Sequence, residues 1–130
     1  MAGVAGSALE VGLVLYRDCQ VAMVHGITDL FAIASVFSED RGGPKLRVSH
    51  WSMGEGGEFS RCHDTEPGRA GHPNIFVVPG RLTGPAEIDE AGPYARWLLD
   101  RHAQGATLAA SCGGSFIVAA TNTRSALYAI

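Results

Sequence analysis

Short apolar runs recur along the chain and are separated by polar or glycine-rich segments. Val11–Tyr16 (VGLVLY) is continuously apolar, which is typical of a strand buried on both faces. Leu46–Met53 alternates apolar and polar residues and predicts a second strand. Asn74–Val78 predicts a third strand that ends at a Pro-Gly pair, and Thr107–Ser111 predicts a fourth.

The segments between these runs carry apolar residues three and four positions apart, which is the spacing of one helix face. After turn and N-cap chemistry at Gly26–Asp29, this spacing predicts a helix over about residues 28–39. It predicts a second helix over Gly92–Gln104, with Pro93 in the first turn and Gly105 just after the last. A third helix is predicted over Gly114–Ala120.

Strands that alternate with helices predict a layered α/β domain whose sheet is mainly parallel. Residues 54–73 interrupt this alternation with glycines and acidic residues, and we expect a hairpin or excursion at the sheet edge, with Phe59–Cys62 extended. In an open α/β sheet, ligands gather at the carboxyl ends of the strands. Four loops should meet there, and they are Arg17–Cys19, Ser52–Gly54, Gly80-Arg81 and Cys112–Gly114.

The amino-acid composition limits the classes of protein to which this chain can belong. The chain has 130 residues, 46% of them hydrophobic and 18% charged, which predicts one globular domain. The net charge is −3 and no basic cluster is present, so we expect no nucleic-acid binding by this chain alone. No signal-peptide pattern opens the chain. Polar residues and a glycine pair interrupt the long uncharged run His102–Thr123, so we expect a cytoplasmic protein without a membrane partner.

The three cysteines, Cys19, Cys62 and Cys112, are far apart and odd in number, which argues against a disulfide framework. Cys62-His63-Asp64 has the residue types of a metal site. However, adjacent residues of an extended segment point to opposite faces, and no second ligand cluster follows. We therefore predict a solvated loop there, no metal site, and no cofactor.

Cys112 is the candidate of most interest. A strand followed by Cys112-Gly113-Gly114 and a helix has the form of a nucleophile elbow, in which the helix N-terminus favours a thiolate. The Gly113 N–H, with one from the Gly80-Arg81 loop, would form an oxyanion hole. The alternative is that Cys112 is a small apolar residue buried where a strand meets a helix.

Four segments together resemble one superfamily: VHGITDLFAIAS, LRVSHWSM, NIFVVPG and GATLAASCGGSFIVAAT. In order and spacing they are similar to the PfpI/class I glutamine-amidotransferase-like proteins, and more narrowly to the amino-terminal sensor domain of AraC-type transcriptional regulators. The resemblance covers about residues 9–121. It implies a flavodoxin-like parallel sheet flanked by helices, with Cys112 at the position of the superfamily's reactive cysteine.

Several positions depart from that pattern. Met23 stands where the regulators often have Asp, and Gly113 stands where the hydrolases often have His. Pro79-Gly80-Arg81 replaces Pro-Gly-Gly. Asn122–Ile130 resembles no continuation of the family, so we expect residues 1–130 to be one incomplete domain, lacking its carboxyl-terminal part and any DNA-binding domain.

The resemblance implies a ligand-sensing and dimerisation domain of a regulator, without catalysis, that binds a small molecule and forms a homodimer in the intact protein. Ligand contacts are expected from Gly80, Arg81, Asp18 and His25. Arg81 could pair with an anion through its planar guanidinium, or be a solvated loop arginine, and His25 could equally be a surface residue. The alternative function is a cysteine-dependent hydrolase or hydratase that uses Cys112.

Overall fold

A computed structural model describes residues 8–84, 86–121 and 127–129. Strands and helices alternate along it, except where three strands follow one another without a helix between them. The elements in chain order are β1 (Ala8–Val14), α1 (Val21–Asp40), β2 (Lys45–Met53), β3 (Phe59–Asp64), β4 (Ile75–Val78), α2 (Ile88–Ala103), β5 (Thr107–Ala110), α3 (Gly114–Ala119) and β6 (Leu127–Ala129).

The strands form one sheet in the order β3-β2-β1-β4-β5-β6. Every neighbouring pair is parallel except β2 and β3, which are antiparallel. The parallel strands, counted alone, have the order 2-1-3-4-5 of the flavodoxin-like folds. The predicted α/β flavodoxin-like fold is therefore confirmed.

Helices cover the two faces of the sheet unequally. On one face, α1 packs through Val24 against Leu13 of β1 and Val48 of β2. On the other face, α2 and α3 pack through Leu98 and Ile117 against β4 and β5. Both clusters contain side chains of β1, β4 and β5, which explains why these strands are apolar on both faces.

An aromatic cluster extends the second core to the edge strand. Phe59 of β3 stacks on Trp97 of α2, with ring centroids 4.3 Å apart and ring planes 6° apart. Trp51 and Phe76 meet the same Trp97 ring, at centroid distances of 5.6 and 4.8 Å. The predicted excursion at the sheet edge is thus an ordered hairpin, because β3 both pairs with β2 and contributes an aromatic side chain to the core.

The first helix begins seven residues earlier than predicted, at Val21 instead of residue 28. Gly26–Asp29, taken from the sequence as turn and N-cap, lies inside α1, and the Thr28 hydroxyl donates to Val24 O at 2.8 Å. The helix starts early because Gln20 N donates to Gly80 O of the distant β4–α2 loop, at 2.8 Å. A tertiary hydrogen bond of this kind leaves no local signal in the sequence.

Other predicted bounds were wrong by one to four residues. The second helix begins at Ile88, so Pro93 is its sixth residue and lies in the second turn. Asp89 and Glu90, which suit the positive end of the helix dipole, occupy its first turn. The first strand runs Ala8–Val14, two to three residues before the predicted range. β6 was not predicted, and residues 122–126 and 130 of the same segment lie outside the described residues.

A buried charged cluster ties β1, β2 and β3 together near the amino ends of β1 and β2. Arg47 is 2% exposed and donates to both carboxylate oxygens of Asp64, at 2.9 and 2.5 Å. It also lies 3.3 Å from the carboxylate of Glu10. Glu10 in turn accepts hydrogen bonds from Ser49 and Arg61. Because every charge has an opposite partner, burial of this cluster is tolerated.

Candidate functional site

The candidate site begins at the sharp turn between β5 and α3. Cys112 has a φ of +47°, a left-handed conformation that residues with a side chain seldom adopt. Gly114 N donates to Ser111 O at 2.9 Å, which closes the turn and begins α3. The Cys112 side chain is exposed, so the alternative of a buried apolar cysteine is wrong.

Two further loops approach this turn closely. A Cβ at position 80 would lie 3.3 Å from Cys112 Cβ and 2.7 Å from Gln20 Oε1. A Cβ at position 113 would lie 3.8 Å from Arg81 N. Glycine at position 80 therefore suits the close approach of the loops, and Gly80, Gly113 and Cys112 lie together as the sequence predicted.

Arg81, in the β4–α2 loop, connects the Arg17–Cys19 loop to α2. Its guanidinium lies 3.1 Å from Glu90 and 3.7 Å from Asp18, and its side chain is only 10% exposed. Cys19 and Arg81 also form an antiparallel bridge, with Leu82 N donating to Asp18 O at 2.8 Å. Arg81 is thus a buried, ion-paired residue, and its description as a solvated loop arginine is wrong.

His25 lies elsewhere. Its ring contacts His50 of β2 with centroids 6.1 Å apart, and His50 in turn contacts His63 of β3 at 4.6 Å. Within the described residues, no hydrogen bond, ion pair or ring contact joins His25 to the loops around Cys112. Met23 packs against the core under α1, and Gln20 is the side chain at the start of α1 that borders Gly80.

A pocket of about 250 Å³ opens beside these loops, between the end of β1, the start of α2 and α3. Its walls are mostly apolar, with carboxylates and one arginine at the rim. The lining residues are Tyr16, Arg17, Met53, Ala86, Asp89, Glu90, Pro93, Tyr94 and Ile117. Glu90 links the pocket to the loops, because the same carboxylate pairs with Arg81.

Two tyrosines, Tyr16 and Tyr94, give the pocket uncharged polar groups. Tyr16 donates its hydroxyl to Pro79 O at 2.5 Å, and burial raises its pKa to about 12. Burial also raises the pKa of Tyr94, whose ring lies 6.1 Å from that of Tyr16. Both phenols are therefore neutral at physiological pH. Such a pair suits a small ligand with an apolar body and a polar end.

The described surroundings of Cys112 show no group that would activate the thiol. A catalytic thiol needs an adjacent base or a strongly activating environment. In the described part of the chain, no histidine or carboxylate makes a hydrogen bond or ion pair with Cys112. The Gln20 amide, which borders Gly80 as Cys112 does, cannot accept a proton at neutral pH.

The Cys62-His63-Asp64 segment is a strand, β3, instead of the solvated loop that was predicted. Asp64 pairs with Arg47, while Cys62 is exposed. Among residues 8–84, 86–121 and 127–129, no three or more histidine, cysteine or acidic side chains lie together so that they could hold a metal ion.

No protein-family model and no curated protein matches this sequence. Two solved structures are similar to it. An AraC family transcriptional regulator from Pseudomonas putida superposes with a TM-score of 0.61 and 15% identity, over 93% of this chain and 79% of that one. The fold is shared with that regulator. A proposed transcriptional regulator from Vibrio parahaemolyticus has a TM-score of 0.58 and 20% identity, over 89% of this chain and 62% of that one. At these identities the likeness shows the fold alone.

Sequence reasoning missed the pocket itself. Tyr16 ends the first apolar run, and Tyr94 lies in the second predicted helix, Gly92–Gln104. Glu90 was not considered, because its partner Arg81 lies nine positions away across a loop. The position of Tyr16 could have revealed the pocket. This residue lies two positions after β1, and the carboxyl end of that strand faces the predicted site.

Proposed function

We propose that this chain is the small-molecule-sensing part of an AraC-type transcriptional regulator, acts in the cytoplasm, and self-associates in the intact protein. The observation that carries the proposal is the pocket lined by Tyr16 and Tyr94 at the carboxyl edge of the sheet. This edge is where flavodoxin-like folds hold their ligands. The likeness of fold to a regulator from Pseudomonas putida supports the choice of protein class.

In this proposal the ligand is a compact metabolite whose apolar part lies against Met53 and Ile117. The Tyr94 hydroxyl offers a hydrogen bond to its polar end. Gly80, Arg81 and Asp18 hold the loops beside it, and Arg81 acts through Glu90 because its guanidinium is already ion-paired. DNA binding belongs to another part of the regulator, since this chain has a net charge of −3.

A thermal-shift screen against a library of amino acids, amines and small carboxylic acids tests the pocket. Some compounds should raise the melting temperature of the wild-type chain in a concentration-dependent way. Ala86→Trp fills the pocket and should abolish that rise. Ala103→Trp, a matched change at an exposed position at the end of α2, should keep it. If no compound stabilises the wild type, or if Ala86→Trp responds equally, the proposed ligand site is wrong.

A second candidate function is a cysteine-dependent hydrolase or hydratase, and the exposed Cys112 with φ of +47° favours it. Iodoacetamide alkylation, measured against pH, separates the two functions. In the sensor, Cys112 should react at a rate close to that of the exposed Cys62. Rapid alkylation of Cys112 below pH 7, retained in Cys62→Ser, would instead support the enzyme.

The regulator assignment has its own test in the gene. The DNA after codon 130 should encode a helix-turn-helix motif in one of its reading frames. A downstream sequence without such a motif in any frame would contradict the regulator class. The ligand screen would still report on the pocket in that case.

A further inference from the structure

A second cavity lies at the amino end of the sheet. It has a volume of about 190 Å³ and is found where β4 and β5 begin and α2 ends. The lining residues are Trp51, His72, Pro73, Asn74, Phe76, Arg101, Gln104, Gly105 and Ala106. None of them lines the pocket around Tyr16 and Tyr94, so the two cavities are separate.

Aromatic side chains form the apolar wall of this cavity, and the fold fixes where they lie. The Trp51 Nε1 donates to Ser49 Oγ at 2.8 Å, which directs the ring back along β2 toward the amino end of that strand. Phe76 lies beside Gly12 of β1, where a Cβ would be 2.8 Å from the Phe76 ring and 3.0 Å from Pro73 Cγ. Glycine at position 12 therefore leaves two wall residues the space that they occupy.

Arg101 gives the cavity a positive charge. Its side chain is 25% exposed, and one terminal nitrogen donates to the Asp100 carboxylate at 2.7 Å. Its Nε is buried and has no hydrogen-bond partner among the described residues. A buried donor without an acceptor costs free energy. The guanidinium, which has five N–H donors, therefore has donor capacity that a ligand could use.

The other polar groups of the lining also favour an anion. Asn74 accepts from Glu10 N through Oδ1 at 2.8 Å, so its NH₂ group remains to donate. His72 is exposed and can donate from its ring. Among the described residues that line this cavity, none has a carboxylate, whereas Asp89 and Glu90 line the other pocket.

The end of α2 opposes an anion only weakly. The carboxyl end of a helix carries partial negative charge on its unpaired carbonyl groups. Here Arg101 O accepts from Ala106 N at 3.1 Å, and His102 O accepts from Gly105 N at 2.9 Å. Because the turn after the helix pairs these carbonyl groups, less negative potential reaches the cavity.

We propose that this cavity binds a small carboxylate that carries one flat, apolar ring. The carboxylate pairs with Arg101 and accepts a hydrogen bond from Asn74, while the ring lies against Trp51 and Phe76. Arginine suits this ligand, since its planar group can bind both oxygens of a carboxylate. The cavity is smaller than the about 300–1,000 Å³ of sites for drug-sized molecules, so one ring is the size that fits. The site is independent of the proposed function, because the two cavities share no lining residue.

Titration of the full chain with sodium benzoate, followed by tryptophan fluorescence, tests the proposal. Trp51 lines the cavity, so the emission should change saturably, with a Kd of roughly 0.1–1 mM. Benzamide has the same ring without the charge, and its Kd should be at least about tenfold higher.

Three variants locate the bound benzoate. Arg101→Gln should raise the benzoate Kd about tenfold or more. Arg96→Gln is the matched control, because it removes the same charge from an exposed position of α2 outside the cavity, and it should keep the wild-type Kd. Ala86→Trp fills the pocket around Tyr16 and should also leave the benzoate Kd unchanged.

The absence of a saturable change up to about 10 mM benzoate overturns the proposal. Equal Kd values for Arg101→Gln and Arg96→Gln, or for benzamide and benzoate, overturn it as well. Loss of benzoate binding in Ala86→Trp would place the benzoate in the other pocket and would also overturn it. In the ligand screen, a compound whose stabilising effect is removed by Arg101→Gln but not by Ala86→Trp belongs to this cavity, so either site can fail alone.

Discussion

Replacing Arg47 by methionine should destabilise the protein more than any single change at the candidate site. Arg47 is 2% exposed, and it forms ion pairs with the carboxylates of both Glu10 and Asp64. Methionine preserves much of the side-chain volume but leaves two buried negative charges with less compensation. Breaking a buried ion pair from one side costs about 3–5 kcal/mol. Most domains of this size have a free energy of unfolding of about 5–15 kcal/mol, so this cost is a large fraction of the total.

Urea unfolding followed by circular dichroism measures this cost. With a slope of about 1.5 kcal/mol/M, the midpoint at pH 7 should fall by about 2 M or more. Arg61→Met removes a second arginine from the same Glu10, one whose side chain is 26% exposed, and is the matched control. This variant should lower the free energy of unfolding by about 1 kcal/mol, because Arg47 still compensates the charge of Glu10.

The effect of pH provides a second check on the same variant. The hydrogen bonds from Arg47 hold the pKa of Asp64 below its ordinary value of 3.8. A carboxyl group with a lowered pKa stabilises the fold above its unfolded pKa, and this stabilisation is lost as the pH falls through the folded value. The gap between wild type and Arg47→Met should therefore narrow below about pH 4. An Arg47→Met midpoint within experimental error of the wild type at pH 7 would refute the reasoning.

Two further predictions concern other parts of the fold. Burial, and then the nearby His63 and His25, lower the pKa of His50 below 6.5, so stability should fall as the pH drops below that value, where the unfolded chain takes up the proton. His50→Gln should reduce this pH dependence between pH 7.5 and 5.5 in urea unfolding, and an unchanged slope would contradict the assignment. Gly114→Ala should destabilise, because its Cβ would lie 2.6 Å from Pro79 O as well as against Val78 O. Gly26→Ala, in open space on a helix, should instead stabilise by up to about 1 kcal/mol, and equal melting temperatures for the two variants would disprove this contrast.

The sequence predicted the strands well because their burial on both faces requires a continuous apolar run. Four of the five strands that it predicted, counting Phe59–Cys62, both begin and end within two residues of the observed bounds. The start of α1 could not be predicted, because the hydrogen bond from Gln20 to Gly80 joins segments far apart in the chain. Local turn chemistry at Gly26–Asp29 was therefore given too much weight.

The sequence predicted only part of the candidate site, namely the part that the sheet topology determines. Cys112, Gly113 and Gly80 follow strands whose carboxyl ends must meet, so topology alone brings them together. His25 was misplaced because the early start of α1 sets its direction, and it points toward His50. The pairing of Arg81 with Glu90 depends on the path of the β4–α2 loop, which a pattern of residues does not specify.

The buried cluster around Arg47 and the pocket around Tyr94 lie toward opposite ends of the same strands. The amino end holds the buried ion pairs, while the carboxyl end holds the pocket that is proposed to bind a ligand. Substitutions at exposed residues of the pocket, such as Asp89, should therefore leave the ion-paired cluster intact. If the pocket binds a ligand as proposed, this separation would let its specificity change while the architecture is kept, in line with a fold that is retained at 15–20% identity.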